Sequence, residues 1–218
     1  SSVQVDQDLS IAGVLNTNDA ANLTVAGSIL GAGTLQGLAG GTQELISVGA
    51  NFTVATYTAN ATKLLLTGAT QPVSVGSYSF YDLEINKTNT TDVVNPTGAW
   101  TVTNSLLLTR GTWNASTFTH AIAAAWNSSA AAFVFNAGTS TITLSSLNPN
   151  LTTKGLGTQP FYHLTLNNGG VLLSSVQVDQ DLSIAGVLNT NNASALTVAV
   201  SILGAGTLQG LAGGLQEL

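Results

Sequence analysis

The amino-acid sequence predicts an all-β repeat array, with a β-solenoid favoured over a row of β-sandwich modules. Apolar and polar residues alternate through many short runs, which produces strands with one buried and one solvent-facing side. The sequence also repeats itself on two length scales, as in arrays where each unit covers the open face of the next. Charged residues make up only 6% of the chain, against about 25% in ordinary soluble domains.

The alternation is clearest in residues 3–11, where every odd position except Gln7 is apolar and every even position is polar. Val, Ile, Thr and aromatic residues favour a pleated surface, and the Gly, Asn and Pro residues between runs mark turns. Residues 121–126 are the one stretch that could pass for a helix, and they are too few to hold one alone in water. Shorter alternating runs occupy 23–25, 52–54, 83–85, 102–103, 142–144 and 164–166.

A long repeat joins the two ends of the chain. Residues 1–45 and 174–218 align without a gap and differ at five positions, which gives a period of 173 residues. The chain therefore holds one full unit and the first quarter of the next. We interpret it as a window on a longer tandem array or on a head-to-tail polymer.

A weaker repeat lies inside the long one. Residues 80–86 match residues 161–167 at a spacing of 81, so the unit looks like two diverged copies of an older module. This division makes 1–79 the second half of a unit, 80–160 a module that starts at Phe80, and 161–218 the next module.

Three segments of the unit carry a resemblance to a known class of protein. Phe80–Asn86, Leu106–Asn114 and Phe135–Leu144 together resemble the repetitive surface proteins of archaea and bacteria, including β-solenoids of the filamentous-haemagglutinin adhesin type. The resemblance implies a secreted protein with a structural or adhesive role, and it brings no catalytic residue with it.

One motif favours the sandwich alternative. Residues 166–171 read Leu-Asn-Asn-Gly-Gly-Val, and Asn-Gly between alternating strands is a strong signal for an antiparallel hairpin. Hairpins belong to sandwiches more than to parallel coils, so both architectures stay open at this point.

The composition argues against several partners. The net charge is −6 and the four cations, Lys63, Lys87, Arg110 and Lys154, are scattered, which is too few to bind a nucleic-acid backbone or an anionic membrane. The chain has no Cys and no Met, the two most oxidisable residue types. No apolar run reaches the length of a spanning helix, and no export signal is visible. We expect an extracellular or cell-surface protein whose signal lies outside this window.

Nine Asn-x-Ser/Thr motifs make N-linked glycans an expectation, because the transferase needs the third-position hydroxyl and an exposed site. Chance alone gives about five such motifs in a chain this rich in Asn, Ser and Thr. The second copy loses the first copy's site and gains another three positions earlier. The candidates are Asn22, Asn51, Asn60, Asn86, Asn89, Asn114, Asn127, Asn150 and Asn192.

Two pairs of carboxylates recur with the long repeat, Asp6 with Asp8 and Asp179 with Asp181. Each pair shares one strand face, and we interpret it as a solvated surface. Ca²⁺ needs six to eight oxygen ligands, so calcium at Asp6 and Asp8 is an alternative that requires a second strand.

No other motif predicts a cofactor or a reaction. The glycines of residues 31–37 have the wrong spacing for a dinucleotide fingerprint, and we expect them to serve turns and close strand contacts. His120 and His163 lie in different modules without a second His or Cys at metal-ligand spacing. We expect no enzyme, no metal and no cofactor.

Trp100, Trp113 and Trp126 recur every thirteen residues. They could form a buried ladder or an exposed platform for sugars, and burial is the better prediction because large rings dominate core packing.

These observations predict a structural segment of an extracellular filament, sheath or cell-surface fibre that assembles with copies of itself. The alternative is a surface adhesin or a carbohydrate-binding stalk. The duplicated strands are the expected assembly surface, since uncapped strand edges promote pairing. Their apolar residues are Val3, Val5, Leu9, Ile11, Val176, Val178, Leu182 and Ile184.

Overall fold

The computed structural model describes residues 2–17, 22–37, 44–70, 72–190 and 195–210. Within these residues the chain is all-β, and its strands stack in parallel as a β-solenoid of about nine turns. Every strand pairing found among them is parallel, whereas a sandwich would need antiparallel pairs. The solenoid prediction is confirmed.

Twenty-five strands make up the described part of the solenoid, and their bounds follow in chain order. They are β1 (Val3–Val5), β2 (Leu9–Ser10), β3 (Val14–Asn16), β4 (Asn22–Val25), β5 (Ile29–Gln36), β6 (Leu45–Val48), β7 (Phe52–Thr58), β8 (Lys63–Leu66), β9 (Val73–Val75), β10 (Ser79–Asn86), β11 (Val93–Pro96), β12 (Thr101–Asn114), β13 (Thr119–Ile122), β14 (Trp126–Asn127), β15 (Phe133–Asn136), β16 (Thr141–Leu144), β17 (Asn150–Thr152), β18 (His163–Leu166), β19 (Gly170–Leu172), β20 (Val176–Val178), β21 (Asp181–Ile184), β22 (Val187–Asn189), β23 (Leu196–Val198), β24 (Ser201–Leu203) and β25 (Thr207–Gln209).

Each turn contributes one strand segment to each of three faces, and each segment pairs with the segment one turn later. The first face begins with β1, β4, β6 and β8. The second face begins with β2 and the first parts of β5 and β7. The third face begins with β3 and continues through β13, β16, β18, β21 and β24. The long strands β10 and β12 bend around corners and belong to more than one face.

The core is built from columns of aliphatic side chains. On the first face, Leu23, Ile46, Leu64, Leu83 and Leu106 follow one another in register from turn to turn, and none is more than 8% exposed. Parallel in-register stacking places like positions above one another, so the period-two pattern of the sequence becomes an apolar inside and a polar outside.

The three tryptophans meet inside the solenoid. Trp100, Trp113 and Trp126 have no exposed surface. Trp100 and Trp113 stack with ring centroids 5.2 Å apart, and Trp126 lies 5.8 Å from Trp113. Trp113 lies on β12 and Trp126 on β14, on different faces, because thirteen residues are less than one turn. The prediction of core packing is confirmed.

The antiparallel hairpin that residues 166–171 favoured as an alternative is not formed. β18 and β19, on either side of this segment, pair with strands of neighbouring turns, and the segment forms a corner between two faces. Gly169 has φ +76°, and a Cβ there would lie 2.1 Å from the Val187 carbonyl oxygen. The corner therefore needs a residue without a side chain, which explains the Asn-Gly signal without a hairpin.

The long repeat does not contain a whole number of turns. Leu9 on the second face pairs with Ile29, and its copy Leu182 on the third face pairs with Ile202. The pairing inside each copy is therefore the same, while the second copy is rotated by one face about the solenoid axis.

One cation lies in the interior at the corner after β10. Lys87 is 1% exposed, and its Nζ donates hydrogen bonds to the main-chain oxygens of Gly49, at 3.3 Å, and Thr67. Burial lowers the pKa of Lys87 to about 8, and the carboxylate of Asp92 opposes part of this shift.

Candidate assembly surface

The duplicated strands present the same residues in two environments. In the first coil, residues 2–16, Val3 is 48% exposed, Val5 and Leu9 are half-buried, and Ile11 is 5% exposed. These side chains pack upward onto the next coil through pairs such as Leu9 with Ile29. Among the described residues, no coil lies on their other side.

In the second copy the same side chains are enclosed from both sides. Val176, Val178 and Leu182 have no exposed surface, and Ile184 is 2% exposed. The coil above them has the same pairing register as in the first copy. The difference between the two environments is the coil that lies below, residues 161–172.

This lower coil defines a junction within the chain. Leu164 and Leu166 of β18 pair in register with Leu182 and Ile184 of β21. The Ala185 amide donates to the Leu166 carbonyl at 2.8 Å. On the second face, Phe161 forms a parallel bridge with Val178. The Phe161 amide donates to the Gln177 carbonyl at 2.9 Å, and the Asp179 amide donates to the Phe161 carbonyl at 2.8 Å. The first face adds the pairing of Val171 with Asn189.

The last described coil, residues 195–209, also leaves apolar side chains open. Ile202 is 51% exposed and Leu208 is 43% exposed, whereas their first-copy counterparts Ile29 and Leu35 have no exposed surface under the following coil. Both ends of the described solenoid therefore carry apolar residues that a further coil buries elsewhere in the same chain.

The sequence identified the strands of this surface and missed the surface on which they rest. All eight predicted assembly residues lie in coils 2–16 and 174–189, while Phe161, Leu164 and Leu166 were not named as assembly residues. The sequence contains a signal for this surface, since the segment 161–167 lies shortly before the second copy, which begins at residue 174, and has the alternation of a strand.

The repeated aspartates have different partners in the two copies. Asp8 Oδ1 accepts a hydrogen bond from the Ser28 amide at 2.7 Å. A Cβ at Gly27 would lie 2.3 Å from that oxygen, and the second copy has Val200 at this position. There Asp181 instead faces His163 of the lower coil, with Oδ2 3.5 Å from Nδ1.

Asp6 and Asp179, the first residue of each pair, each contact a glutamine two positions earlier. Asp6 accepts a hydrogen bond from the Gln4 amide group at 2.7 Å, as Asp179 does from Gln177. Within the described ranges, no three His, Cys, Asp or Glu side chains come together as metal ligands. Their hydrogen bonds make the carboxylates strand-end contacts in this structure, and calcium at Asp6 and Asp8 stays the untested alternative.

His120 is part of the core. It has no exposed surface and stands in register with Ile142 on the third face. Its Nδ1 accepts a hydrogen bond from the Trp100 amide at 3.1 Å, and its Nε2 lies 3.0 Å from the Ala115 carbonyl oxygen. Burial lowers the pKa of His120, so the neutral ring is the form that packs here.

The glycines of residues 31–37 serve close strand contacts, as predicted. Gly31 has φ +124°, and a Cβ there would lie 2.3 Å from the Ile11 carbonyl oxygen; at Gly33 it would lie 2.2 Å from the Gly13 carbonyl oxygen. These residues let β5 pass close to the first coil between the second and third faces.

Four of the described glycosylation motifs already donate a hydrogen bond through the side-chain nitrogen that would carry the glycan. Asn60 donates to the Gly37 carbonyl at 2.6 Å, and the hydroxyl of its motif, that of Thr62, is buried and bonds Glu44 at 3.3 Å. The other three donors are Asn86, Asn89 and Asn114. Asn51 Oδ1 instead accepts a hydrogen bond from the Ser74 amide at 2.8 Å, and Asn22 is half-buried on β4. Asn192 lies outside the described residues.

Three of the described asparagines are exposed: Asn89, which donates to Asp92 at 3.2 Å, Asn127 and Asn150. Asn127 Oδ1 accepts hydrogen bonds from the amide of Ser129 at 3.1 Å and from its hydroxyl at 2.7 Å. This turn brings the hydroxyl of the motif to the asparagine that would carry the glycan, so Asn127 is the best placed of the eight candidates that the structure describes.

A groove interrupts the third face between β7 and the start of β10. Its volume is about 280 Å³, and it is lined by neutral residues that include Asn60, Ser79, Tyr81 and Thr103. Because the tryptophans are buried, this groove is the place where the adhesin alternative can be tested.

No family model, curated protein or solved structure matches this chain. The resemblance to filamentous-haemagglutinin-type surface proteins therefore stays a prediction. The described ranges contain no helix long and apolar enough to cross a membrane.

Proposed function

We propose that this chain is a structural segment of an extracellular filament, sheath or cell-surface fibre that extends by stacking solenoid coils of the same sequence. The observation that supports this most strongly is the pair of environments of the duplicated strands. Val3 is 48% exposed in the first coil, and its copy Val176 is fully buried on the coil below. A further coil under the first one would bury the same apolar surface and pair the same strand edges.

The charge distribution also favours stacking. The described coil ends expose Val3, Ile202 and Leu208, and burying each Val or Leu side chain is worth about 1.5–3 kcal/mol. Natural monomers protect such edges with charge, Pro or a capping element. Residues 3–5 and 207–209 contain no charged residue and no Pro.

Electron microscopy of the purified chain over a concentration series tests the proposal. We expect unbranched fibres with a meridional diffraction spacing of about 4.8 Å, the distance between stacked strands. Replacing Val5 and Leu9 with Lys should abolish them. Val14→Lys is the matched control, since Val14 is 72% exposed and its copy Val187 stays 42% exposed under a covering coil. Normal fibres from the Val5→Lys, Leu9→Lys double variant would refute this interface.

The native polypeptide gives a second test. Its mass under full denaturation, before and after chemical deglycosylation, separates a covalent array of many units from a subunit near 22.0 kDa. A loss of mass on deglycosylation is expected, and no loss would remove the glycoprotein part of the proposal.

A further inference from the structure

We propose that coil 161–172 is a docking surface for residues 1–45 of a second copy of this chain, which bind there in place of the chain's own residues 174–218. The inference rests on the proposed function and names the two surfaces that would meet. It starts from sequence identity, because residues 1–18 and 174–191 are the same at every position.

Every described contact that the second copy makes with coil 161–172 comes from the identical stretch. Val178, Leu182 and Ile184 pack on Phe161, Leu164 and Leu166, and their counterparts in the first copy are Val5, Leu9 and Ile11. The main-chain hydrogen bonds depend on register alone, so the same backbone repeats them.

The polar contacts across the junction transfer in part. The side-chain oxygen of Gln177 accepts a hydrogen bond from the Gly157 amide at 2.8 Å, and Gln4 is its counterpart. Asp181 faces His163, whereas its counterpart Asp8 bonds the Ser28 amide beside Gly27, so this contact requires the Asp8 side chain to turn toward the docking surface. All five differences between the copies, at residues 19, 21, 22, 27 and 42, fall after the identical stretch.

The backbone of the incoming coil already has the form that the junction requires. Coil 2–16 pairs upward with β4 and β5 as its copy pairs with β23 and β24, and its lower side, with Val3 48% exposed, is the side that the junction covers. Exchange therefore exposes no new core in the incoming molecule. The cost falls on the receiving molecule, which must release residues 174–218.

Engineered disulfides test this arrangement cleanly, because the chain contains no cysteine. Thr165 and Ser183 are cross-strand partners at the junction, and adjacent strands place their Cα atoms within disulfide range. Ser10 is the counterpart of Ser183. A chain with Thr165→Cys and Leu182→Lys, which weakens its own upper coil, is mixed with a chain that carries Ser10→Cys.

We expect a disulfide between the two chains. Its yield should be at least about tenfold higher than with a receiving chain that keeps Leu182, because a tenfold change corresponds to about 1.4 kcal/mol and replacing a buried Leu with Lys costs more than that. Thr165→Cys with Ser183→Cys in one chain is the positive control for the geometry. Gln4→Cys replaces Ser10→Cys in the register control, because its copy Gln177 lies on another face.

Release of the upper coil is measured in the same samples. The unsubstituted sequence has no Lys or Arg after Lys154, so trypsin cleaves this region only at an introduced lysine. Cleavage of the Leu182→Lys variant at residue 182 therefore shows that the upper coil has opened. Leu188→Lys is a second variant that reports the opening independently. If cleavage shows release, the positive control is oxidised and no interchain disulfide forms, exchange is wrong. If fibres still form and still need Val5 and Leu9, the first coil docks on a different surface, and only the exchange is refuted. If the chains never associate, both the exchange and the proposed function are refuted.

Discussion

The buried Lys87 predicts that the protein becomes more stable as the pH rises above neutrality. Its ammonium group lies among main-chain oxygens at a corner of the solenoid, and burial lowers its pKa from 10.5 to about 8. The unfolded chain keeps the ordinary pKa and binds more protons between these two values, so the free energy of unfolding rises through this window. The stabilising change is complete above the unfolded-state pKa and is lost as the pH falls toward 8.

The two pKa values fix the size of the effect. From about pH 7 to about pH 9.5 the free energy of unfolding should rise by about 2 kcal/mol, and full titration of Lys87 corresponds to about 3 kcal/mol. Burial raises the pKa of Tyr78 to about 12 and raises that of Tyr57 as well. Ionisation of these tyrosines in the unfolded chain near pH 10 lowers stability again, so the measurement ends below that pH.

Denaturant unfolding at constant ionic strength, followed by tryptophan fluorescence, measures this slope, because the three tryptophans are buried in the core. Lys87→Met should flatten the profile between about pH 7 and about pH 9.5. Lys63→Met is the control, since Lys63 is partly exposed and forms an ion pair with Glu84. A flat profile in the unsubstituted protein, or an unchanged slope in Lys87→Met, would refute the reasoning.

Three further predictions follow from buried positions. Burial lowers the pKa of His120, so stability should fall as the pH drops below about 6.5, and acid titration of His120→Phe should show a smaller loss; an equal loss would contradict the assignment. Leu182→Ala should destabilise the upper coils by about 2–5 kcal/mol, as measured by hydrogen exchange. Leu9→Ala should destabilise the first coil by clearly less, since Leu9 is covered from one side only. Equal losses would contradict the claim that the two leucines have different environments. Gly169→Ala, whose Cβ would lie 2.1 Å from the Val187 carbonyl oxygen, should lower the midpoint of thermal unfolding by the equivalent of about 2 kcal/mol or more, whereas an unchanged midpoint would show that the corner relaxes.

The strands and the solenoid were predictable because both depend on local periodicity. The alternation in Val3–Ile11 predicted the strand residues, although the expected single strand is divided into β1 and β2 by a corner at residues 6–8. The nested repeats predicted a fold in which one unit stacks on the next. The Asn-Gly motif misled because a corner between two parallel faces and a hairpin both need a residue at positive φ, and Gly169 meets either need.

Other features depend on distances that the sequence does not encode. Turn length varies from 17 residues, between Phe161 and Val178, to 25, between Trp126 and Leu151, so the face reached after 173 residues could not be counted from the sequence. The burial of Lys87 could not be predicted, because it depends on the neighbouring turns. The docking side of the junction at coil 161–172 was missed for the same reason.

The rotation by one face from copy to copy has a consequence for the outside of a long array. A side chain such as Asn127 would point in a new direction in each successive unit and return to its first direction in the fourth. Glycans or adhesive patches would therefore wind around the rod as a helix and leave it without a front or a back. Two such rods placed side by side would match only once in every three units, which disfavours flat sheets and favours separate, evenly coated threads.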